Sequence, residues 1–298
     1  MVRSPDWDSY RSFLAVLDEG SLSGAARQLG ITQPTVGRHI QAIEAALGGP
    51  LFVRSQRGLS ATAKALALRP YAETLRSTAQ ALVRAASSQG EEATGAVRIS
   101  ASDVIAAEVL PFIIGPLNER HPRLSFEVEA SNQVADLLHR AADIAVRMTR
   151  PVQQSLVAVK AGEIEIGLFA AEGYLSRRGR PQSLADMAGH ALIGFDRETA
   201  LVRRLNADFG LPPREAYTLR TDSDLAALGA IRAGFGIGGC QVGIGRREGW
   251  TRLLPDQFAL RIEAWVVMHE DLKASTPCRL TFDALVEGLR AYVAGQRA

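Results

Sequence analysis

Three observations predict that this chain is a multi-domain α/β protein. The first ninety residues are dominated by apolar residues at helical spacing. After them, short strands rich in Val and Ile alternate with helices. Between the two patterns lies SSQGEEATG (87–95), a polar linker. At 298 residues the chain is too long for one small core, so two or three units are expected.

Residues 5–19 (PDWDSYRSFLAVLDE) place Trp7, Tyr10, Phe13, Leu14 and Leu17 on one face, which predicts a helix ended by Gly20. Ser21 or Ser23 caps a second, shorter helix carrying Leu22, Ala25, Ala26 and Leu29, and Gly30 breaks it. In ITQPTVGRHIQAIEAALG (31–48), Pro34 fits the first helical turn, where the N–H it lacks has no intrahelical partner. Thr32 is the expected N-cap, its hydroxyl accepting from an early N–H. Val36, Ile40, Ile43 and Leu47 form one apolar stripe, and Gly48 stops the helix. Ala25 and Ala26 allow the two helices to cross closely. Residues 21–47 therefore read as a helix-turn-helix, whose second helix enters a DNA major groove N-terminus first.

Off the apolar stripe stand Gln33, Thr35, Arg38 and His39. Gln33 suits an adenine edge and Arg38 a guanine edge or a phosphate. For His39 the choice lies between a base edge, a phosphate and dimer packing. The plain alternative for this row is a solvated helix face. Residues 50–60 (PLFVRSQRGLS) read as an extended segment, a turn and a return, a wing with Arg54 and Arg57 flanking its turn. Those arginines would meet phosphate or minor groove and set affinity more than sequence choice. From about Ala61 to Ser88 an alanine-rich helix carries Leu68, Tyr71, Leu75, Ala79 and Leu82 at heptad-like spacing, with a kink expected at Pro70. A second copy of the chain is the simplest partner for that stripe.

Beyond Gly95, strands are expected at 97–100, 124–130, 143–148, 164–171, 191–196, 217–223 and 263–270. Helices are expected at 103–120, 133–141, 224–233 and 276–294. The pattern divides near 150–162 and again near 268–275, which implies two lobes around a cleft, with the last helix returning to the first lobe. Ligands in such sheets bind at the carboxyl ends of strands. ISASD (99–103) and RTDSD (220–224) each leave a strand and open a helix, presenting Ser100 and Ser102 from one lobe and Thr221 and Ser223 from the other. Two facing helix N-termini would clamp a carboxylate. Asp103 and Asp222 oppose this, either by capping the helices or by choosing a ligand with an amine. Arg147 pairs with an anionic ligand, or with Asp143 or Asp196; Phe195 packs on the ligand or lines the sheet. Ordinary N-capping is the plain alternative for the serines and threonine.

Composition narrows the function. Hydrophobic residues make up 47% and charged residues 22%, as in a soluble globular protein. No apolar run reaches the roughly 20 residues that span a bilayer, and MVRSPDWDSYRSF is not a secretion signal. Cys240 and Cys278 offer neither a disulfide framework nor metal-ligand spacing. A cytoplasmic protein with no cofactor is expected. Of 34 Lys and Arg and 32 Asp and Glu, residues 1–90 hold 10 and 6, so the N-terminal third carries +4 and the remainder −2. That places a polyanion at the N-terminal third. GFGIGG (234–239) matches a dinucleotide-loop pattern in letters only, because a helix rather than a strand precedes it. Nucleophile-elbow, HExxH and CxxC motifs are missing, which argues against an enzyme. A solute-binding protein is the rival reading, favoured by the C-terminal two-thirds and opposed by residues 1–90. A regulator that has lost ligand response is another.

Over its full length the chain resembles the LysR-type transcriptional regulators. AARQLGITQPTVGRHIQAIEAALGGPLFVRSQRGLSATAKA (25–65) carries the resemblance to the family's winged helix-turn-helix. It implies that Gln33, Pro34, Thr35 and Arg38 lie on the recognition helix and that Arg54 and Arg57 lie on the wing; Thr32 and His39, beside that row, complete the expected DNA-binding set. The expected organisation is a DNA-binding domain over 1–60, a linker helix over 61–90 and an effector domain over 95–298. Lobe I of that domain takes about 95–160 and 269–298, and lobe II about 161–268, similar to periplasmic solute-binding proteins. The resemblance further implies double-stranded DNA, a small organic anion or amino acid effector, RNA polymerase and further copies of the chain as partners, the last as a dimer of dimers. Gly37 departs from the family, many members of which carry serine there. It removes a hydroxyl that would hold a phosphate and weakens the helix by up to about 1 kcal/mol.

Overall fold

A computed structural model describes residues 5–55, 58–87, 93–132, 142–151 and 156–295. The chain forms two compact units, one built chiefly from 1–87 and the other from 88–134 and 143–298.

The first unit opens with α1 (Trp7–Glu19), α2 (Leu22–Leu29) and α3 (Gln33–Leu47). Asp6 caps α1 by accepting the Ser9 N–H at 2.9 Å, and Ser21 caps α2 through Gly24 N–H. Gly20, Gly30 and Gly48 end the three helices in the left-handed conformation. Phe13, Leu14, Val16, Ala25, Val36, Ile40 and Ile43 share one core. Leu47, expected on the same stripe, is 39% exposed. It lies in the last turn of α3, past the reach of that core. The wing is the antiparallel hairpin β1 (Phe52–Ser55) and β2 (Gly58–Ala61). Glu44 of α3 anchors its start by accepting from Leu51 N–H at 2.7 Å, and Gly20 O accepts from Leu59 N–H at 2.8 Å. Helix α4 (Ala63–Ser87) runs unbroken through Pro70. Ala65 and Ala72 are buried in the unit's core, and Arg69 reaches Asp18 of α1 at 3.0 Å.

The second unit begins with β3 (Gly95–Ala101), α5 (Asp103–Glu108), α6 (Leu110–Arg120), β4 (Leu124–Ala130) and β5 (Ile144–Arg147). The single helix expected over 103–120 is two helices. Val109 leaves helical geometry between them and Pro111 sits in the first turn of α6, where its missing N–H does no harm. The helix expected over 133–141 lies outside the described residues. Strand β6 (Leu156–Ala170) is followed by α7 (Glu172–Arg178), β7 (Ile193–Gly194), α8 (Ala200–Phe209), β8 (Leu219–Arg220), α9 (Asp224–Arg232), β9 (Gly238–Gln241), α10 (Val242–Arg247), β10 (Thr251–Leu253), β11 (Leu260–His269) and α11 (Thr276–Gly295). The main sheet runs β10-β6-β11-β5-β3-β4, with β9 also paired to β6. Strands expected over 191–196 and 217–223 shrink to the two-residue β7 and β8, which pair only with each other as named strands.

Two lobes emerge from the packing. Val97, Ile99, Leu110, Val146, Val266, Leu285 and Leu289 centre one core. Leu168, Tyr174, Leu192, Ile237 and Phe258 centre a second, beside Phe169, Leu228, Ile231, Val242 and Ile244. The crossings between the lobes are made by strands β6 and β11. Ile164 of β6 lies in the first core and Leu168 in the second, while β11 contributes Ala264 to the first and packs Leu260 on the second. The two strands pair antiparallel, with a register shift between Ala264 and Trp265, opposite Gly162. Gly162 has φ of 154°, and a Cβ there would lie 2.8 Å from Val293 of α11, so this crossing requires glycine. GFGIGG follows helix α9 and its last two glycines already lie in strand β9, which excludes the strand–loop–helix that dinucleotide binding needs.

Candidate functional site

At the leading end of α3, Thr32, Gln33, Pro34 and Arg38 are exposed and Thr35 is half-buried. Thr32 adopts the extended N-cap backbone, yet its hydroxyl makes no cap bond. It lies 2.8 Å from Thr35 Oγ1, to which Arg38 donates at 3.4 Å. The expected side-chain cap is thus replaced by a short polar ladder, Thr32–Thr35–Arg38, along the outer face. His39 leaves this row: its Nδ1 lies 2.7 Å from the buried Ser12 Oγ of α1, so it ties α3 to α1. Arg54 is exposed on β1, opposite Leu59. Arg57 lies outside the described residues. Gly37 has space around it, since a Cβ would meet only Leu22 Cδ1, at 4.0 Å.

In the second unit, Ser102, Phe195 and Thr221 each stand one residue past the carboxyl end of a strand: β3, β7 and β8. The Thr221 N–H donates to Gly194 O at 2.9 Å, which fixes the last two beside each other. Ser102 is half-buried with no side-chain cap bond, and Phe195 is exposed. Thr221 Oγ1 accepts from Ser223 N–H, and Ser223 Oγ accepts from Ala226 N–H, an ordinary cap of α9. Ser100 departs from expectation. It is fully buried, and its Oγ accepts from Arg147 Nη2 at 2.8 Å, so neither side chain is presented to the cleft. The reason is the register: Ser100 pairs with Ala145 of β5, so Arg147, two residues on, lies on the same face, and β3 is covered on both faces from Ile99 to Ala101. Asp196 is engaged by Arg214 at 2.6 Å, so it is not the partner of Arg147.

The carboxylates also differ from expectation. Asp222 accepts from the Arg197 backbone N–H at 3.0 Å and from its Nε at 2.6 Å, which hold its pKa below the usual aspartate range. Asp103 bonds Asn132. Helices α5 and α9 touch, and Asp224 in the first turn of α9 lies near enough to Asp103 in the first turn of α5 for the two charges to interact. Burial, and then the Asp103 charge, raise the Asp224 pKa. Its place in the first turn of a predicted helix was visible in RTDSD; its juxtaposition with Asp103 was not. Cys240 is buried, and desolvation pushes its thiol pKa up to about 12, which makes it unreactive. Among the described residues, no group of three or more His, Cys, Asp or Glu side chains is arranged to hold a metal. Likewise, no described helix is long and apolar enough to cross a membrane.

Residues 90–290 match the LysR substrate binding domain, more than half of the chain. The chain belongs to the LysR family. Residues 7–66 match the bacterial regulatory helix-turn-helix protein, lysR family, which covers α1 to the start of α4. The HTH-type transcriptional regulator CrgA of Neisseria meningitidis serogroup C is 28% identical over 183 residues, 61% of this chain and 61% of CrgA. The chain thus spans about three-fifths of that relative. The probable regulator LtrA of Klebsiella pneumoniae is 24% identical over 95% of this chain and 94% of its own length. The solved structure of Neisseria meningitidis CrgA superposes with a TM-score of 0.58 at 25% identity, covering 95% of this chain and 98% of CrgA. CbnR, a LysR family regulator, superposes with a TM-score of 0.68 at 19% identity over 97% of this chain and 99% of its own; this likeness shows the fold. These LysR structures share the N-terminal helix-turn-helix and the two-lobed α/β domain.

Proposed function

We propose that this chain is a transcriptional regulator that binds double-stranded DNA through α3 and whose DNA complex responds to a small molecule held between the lobes. The observation that carries the reading is the exposed row Thr32, Gln33, Pro34 and Arg38 at the leading end of α3, over a packed three-helix base with a wing beside it. Long polar groups that are free at a helix N-terminus suit base edges, and Arg54 on the wing suits phosphate. His39 acts from behind, orienting α3 through Ser12. Oligomerisation, with a dimer of dimers as the proposed assembly, is supported by α4, where Tyr71 is 66% and Leu82 70% exposed on a helix otherwise rich in alanine. A partner helix from a second copy would cover them.

The proposed effector contacts are Ser102, Phe195, Thr221 and Ser223, with Ser100 and Arg147 forming the floor beneath. Of the two ligand classes expected, Asp103 and Asp224, in the first turns of the touching helices α5 and α9, favour an amino acid, whose ammonium would meet the carboxylates while its carboxylate meets the strand-end hydroxyls. Such a ligand must prefer one lobe arrangement, because equal affinity for both shifts nothing. The test is a titration of the purified chain against DNA flanking its own coding region, with and without amino acids and organic acids. Specific binding that an amino acid shifts supports both halves of the reading. Binding no tighter than to scrambled duplex would sink the first half, and shifts by simple acids alone would sink the amino acid assignment.

A further inference from the structure

The second unit holds a cavity of 530 Å³ away from the strand ends, in a trough between α6 and α11 closed on one side by α10. This volume is within the range of small-molecule sites. Its walls come from both lobes: Val109 and the buried face of α11 belong to the first core, whereas Val242 and Ile244 of α10 belong to the second. The lining is apolar along its length, with Phe112, Ile113, Pro116, Ala284 and Ala291, and Phe112 is 65% exposed. Charge gathers at the rim. Arg247 donates to the Glu108 carbonyl and pairs with its carboxylate, and its guanidinium carbon lies 4.8 Å from the Phe112 ring centre. Arg246 and Arg120 are spent differently, each donating to a backbone carbonyl, Gly295 O at 2.9 Å and Pro116 O at 3.3 Å. Neither has a carboxylate partner among the described residues. Glu287 is the one rim carboxylate outside the Glu108 pair.

We propose that this trough is a second ligand site, for an apolar monocarboxylate whose hydrocarbon part lies along Phe112, Ile113 and Ala291 and whose carboxylate pairs with Arg246. The charge balance decides the class: two guanidiniums without carboxylate partners against Glu287 favour an anion, and the long apolar lining favours a single charge at one end. Arg246 and Arg247 lie in the second lobe and the apolar wall in the first, so the ligand bridges the lobes behind the β6–β11 crossing. Glu108 already links them there, through Arg247 of α10 and Arg232 of α9, the latter at 3.2 Å. Occupancy would reinforce that link and so bias the lobe arrangement.

The experiment is calorimetric titration of the full chain, without DNA, with decanoate and with decanol, so its failure is separable from failure of the regulator reading. Decanoate is expected to bind saturably and decanol about tenfold more weakly, as the loss of one charge-assisted hydrogen bond predicts. Arg246→Ala should lower decanoate affinity about tenfold without affecting decanol. Ala291→Trp, at an exposed position of α11, should fill the trough and abolish saturable binding of both. The site is refuted if decanoate fails to saturate, if the two compounds bind alike, or if neither substitution changes binding. It is equally refuted if sedimentation shows Ala291→Trp dissociating an assembly while decanoate leaves the wild-type chain unaffected, because a second copy would then fill the trough.

Discussion

The leading end of α3 and the carboxyl ends of β3, β7 and β8 were both expected to offer polar side chains to a ligand, and only the first does so freely. On α3, Gln33 and Arg38 project outward, and Arg38 makes a single weak bond to a neighbour on its own helix. At the strand ends most polar groups are already engaged: Ser100 by Arg147, Thr221 by Ser223, Ser223 by Ala226 and Asp222 by Arg197. A surface that reads a long rigid polymer is complete before its partner arrives, because the helix alone sets where its side chains point. The polar groups at the strand ends are instead held on internal partners, which a ligand between the lobes would have to replace.

The contrast is tested most severely at Ser100. If that hydroxyl serves the fold, Ser100→Ala should lower stability by about 1.5–3 kcal/mol, the worth of a hydrogen bond to a buried charge. Denaturant midpoints would show it, and Ser102→Ala should leave them nearly unchanged. A Ser100→Ala chain of wild-type stability with a lost ligand response would return that residue to the cleft. Arg38→Ala makes the opposite claim, normal stability with specific DNA affinity reduced by about 1–3 kcal/mol, measured by anisotropy at fixed salt. Arg54→Ala should weaken all duplexes alike and reduce the salt slope by about 1.

Periodicity made the first unit legible almost residue by residue. Each of its first three helices carries its own stop, at Gly20, Gly30 and Gly48, and the core stripe of α3 needs no distant information. Ser102 was legible for the same reason, since ISASD shows a strand giving way to a helix, whereas the early ends of β7 and β8 before Phe195 and Thr221 were not. What stayed hidden depends on pairing between distant segments. That Ser100 meets Arg147 follows from the register of β3 on β5, and that Asp224 comes near Asp103 follows from the contact of α9 with α5. His39 looked outward because helical spacing alone does not say which side Ser12 will occupy. The extent of β6 was underestimated because Ala158, Lys160, Gly162 and Glu163 interrupt the apolar alternation, and only pairing with β11 carries the strand through them.

Gly37 gives a smaller effect. It sits in mid-helix with room for a side chain, so Gly37→Ala should raise stability by about 0.8–1 kcal/mol through helix propensity alone. Gly37→Ser should stabilise less. It should also tighten binding to any duplex if the outer face of α3 lies against phosphate, because it restores a hydroxyl there. An unchanged affinity for Gly37→Ser would move that helix turn away from the backbone and leave only its leading end in contact.

The smallest expected effect is at Asp224, and its sign is fixed by linkage. Burial and the Asp103 charge raise its folded-state pKa above the ordinary aspartate value of 3.8, so the folded chain holds more protons than the unfolded chain in the interval above that value. Stability therefore falls as pH rises through that interval, and the loss is complete once Asp224 is ionised in both states. Asp224→Asn removes this loss, so its melting temperature relative to wild type should climb across the interval and then level off. Asp103→Asn should narrow the same interval by removing the opposing charge while leaving the desolvation in place. An amino acid bound between the two carboxylates should also restore ionisation of Asp224 without loss of stability, which a simple acid would not do. An Asp103→Asn chain that leaves the interval unchanged would mean that the two carboxylates do not interact, and the preference for an amine-bearing ligand would lose its physical basis.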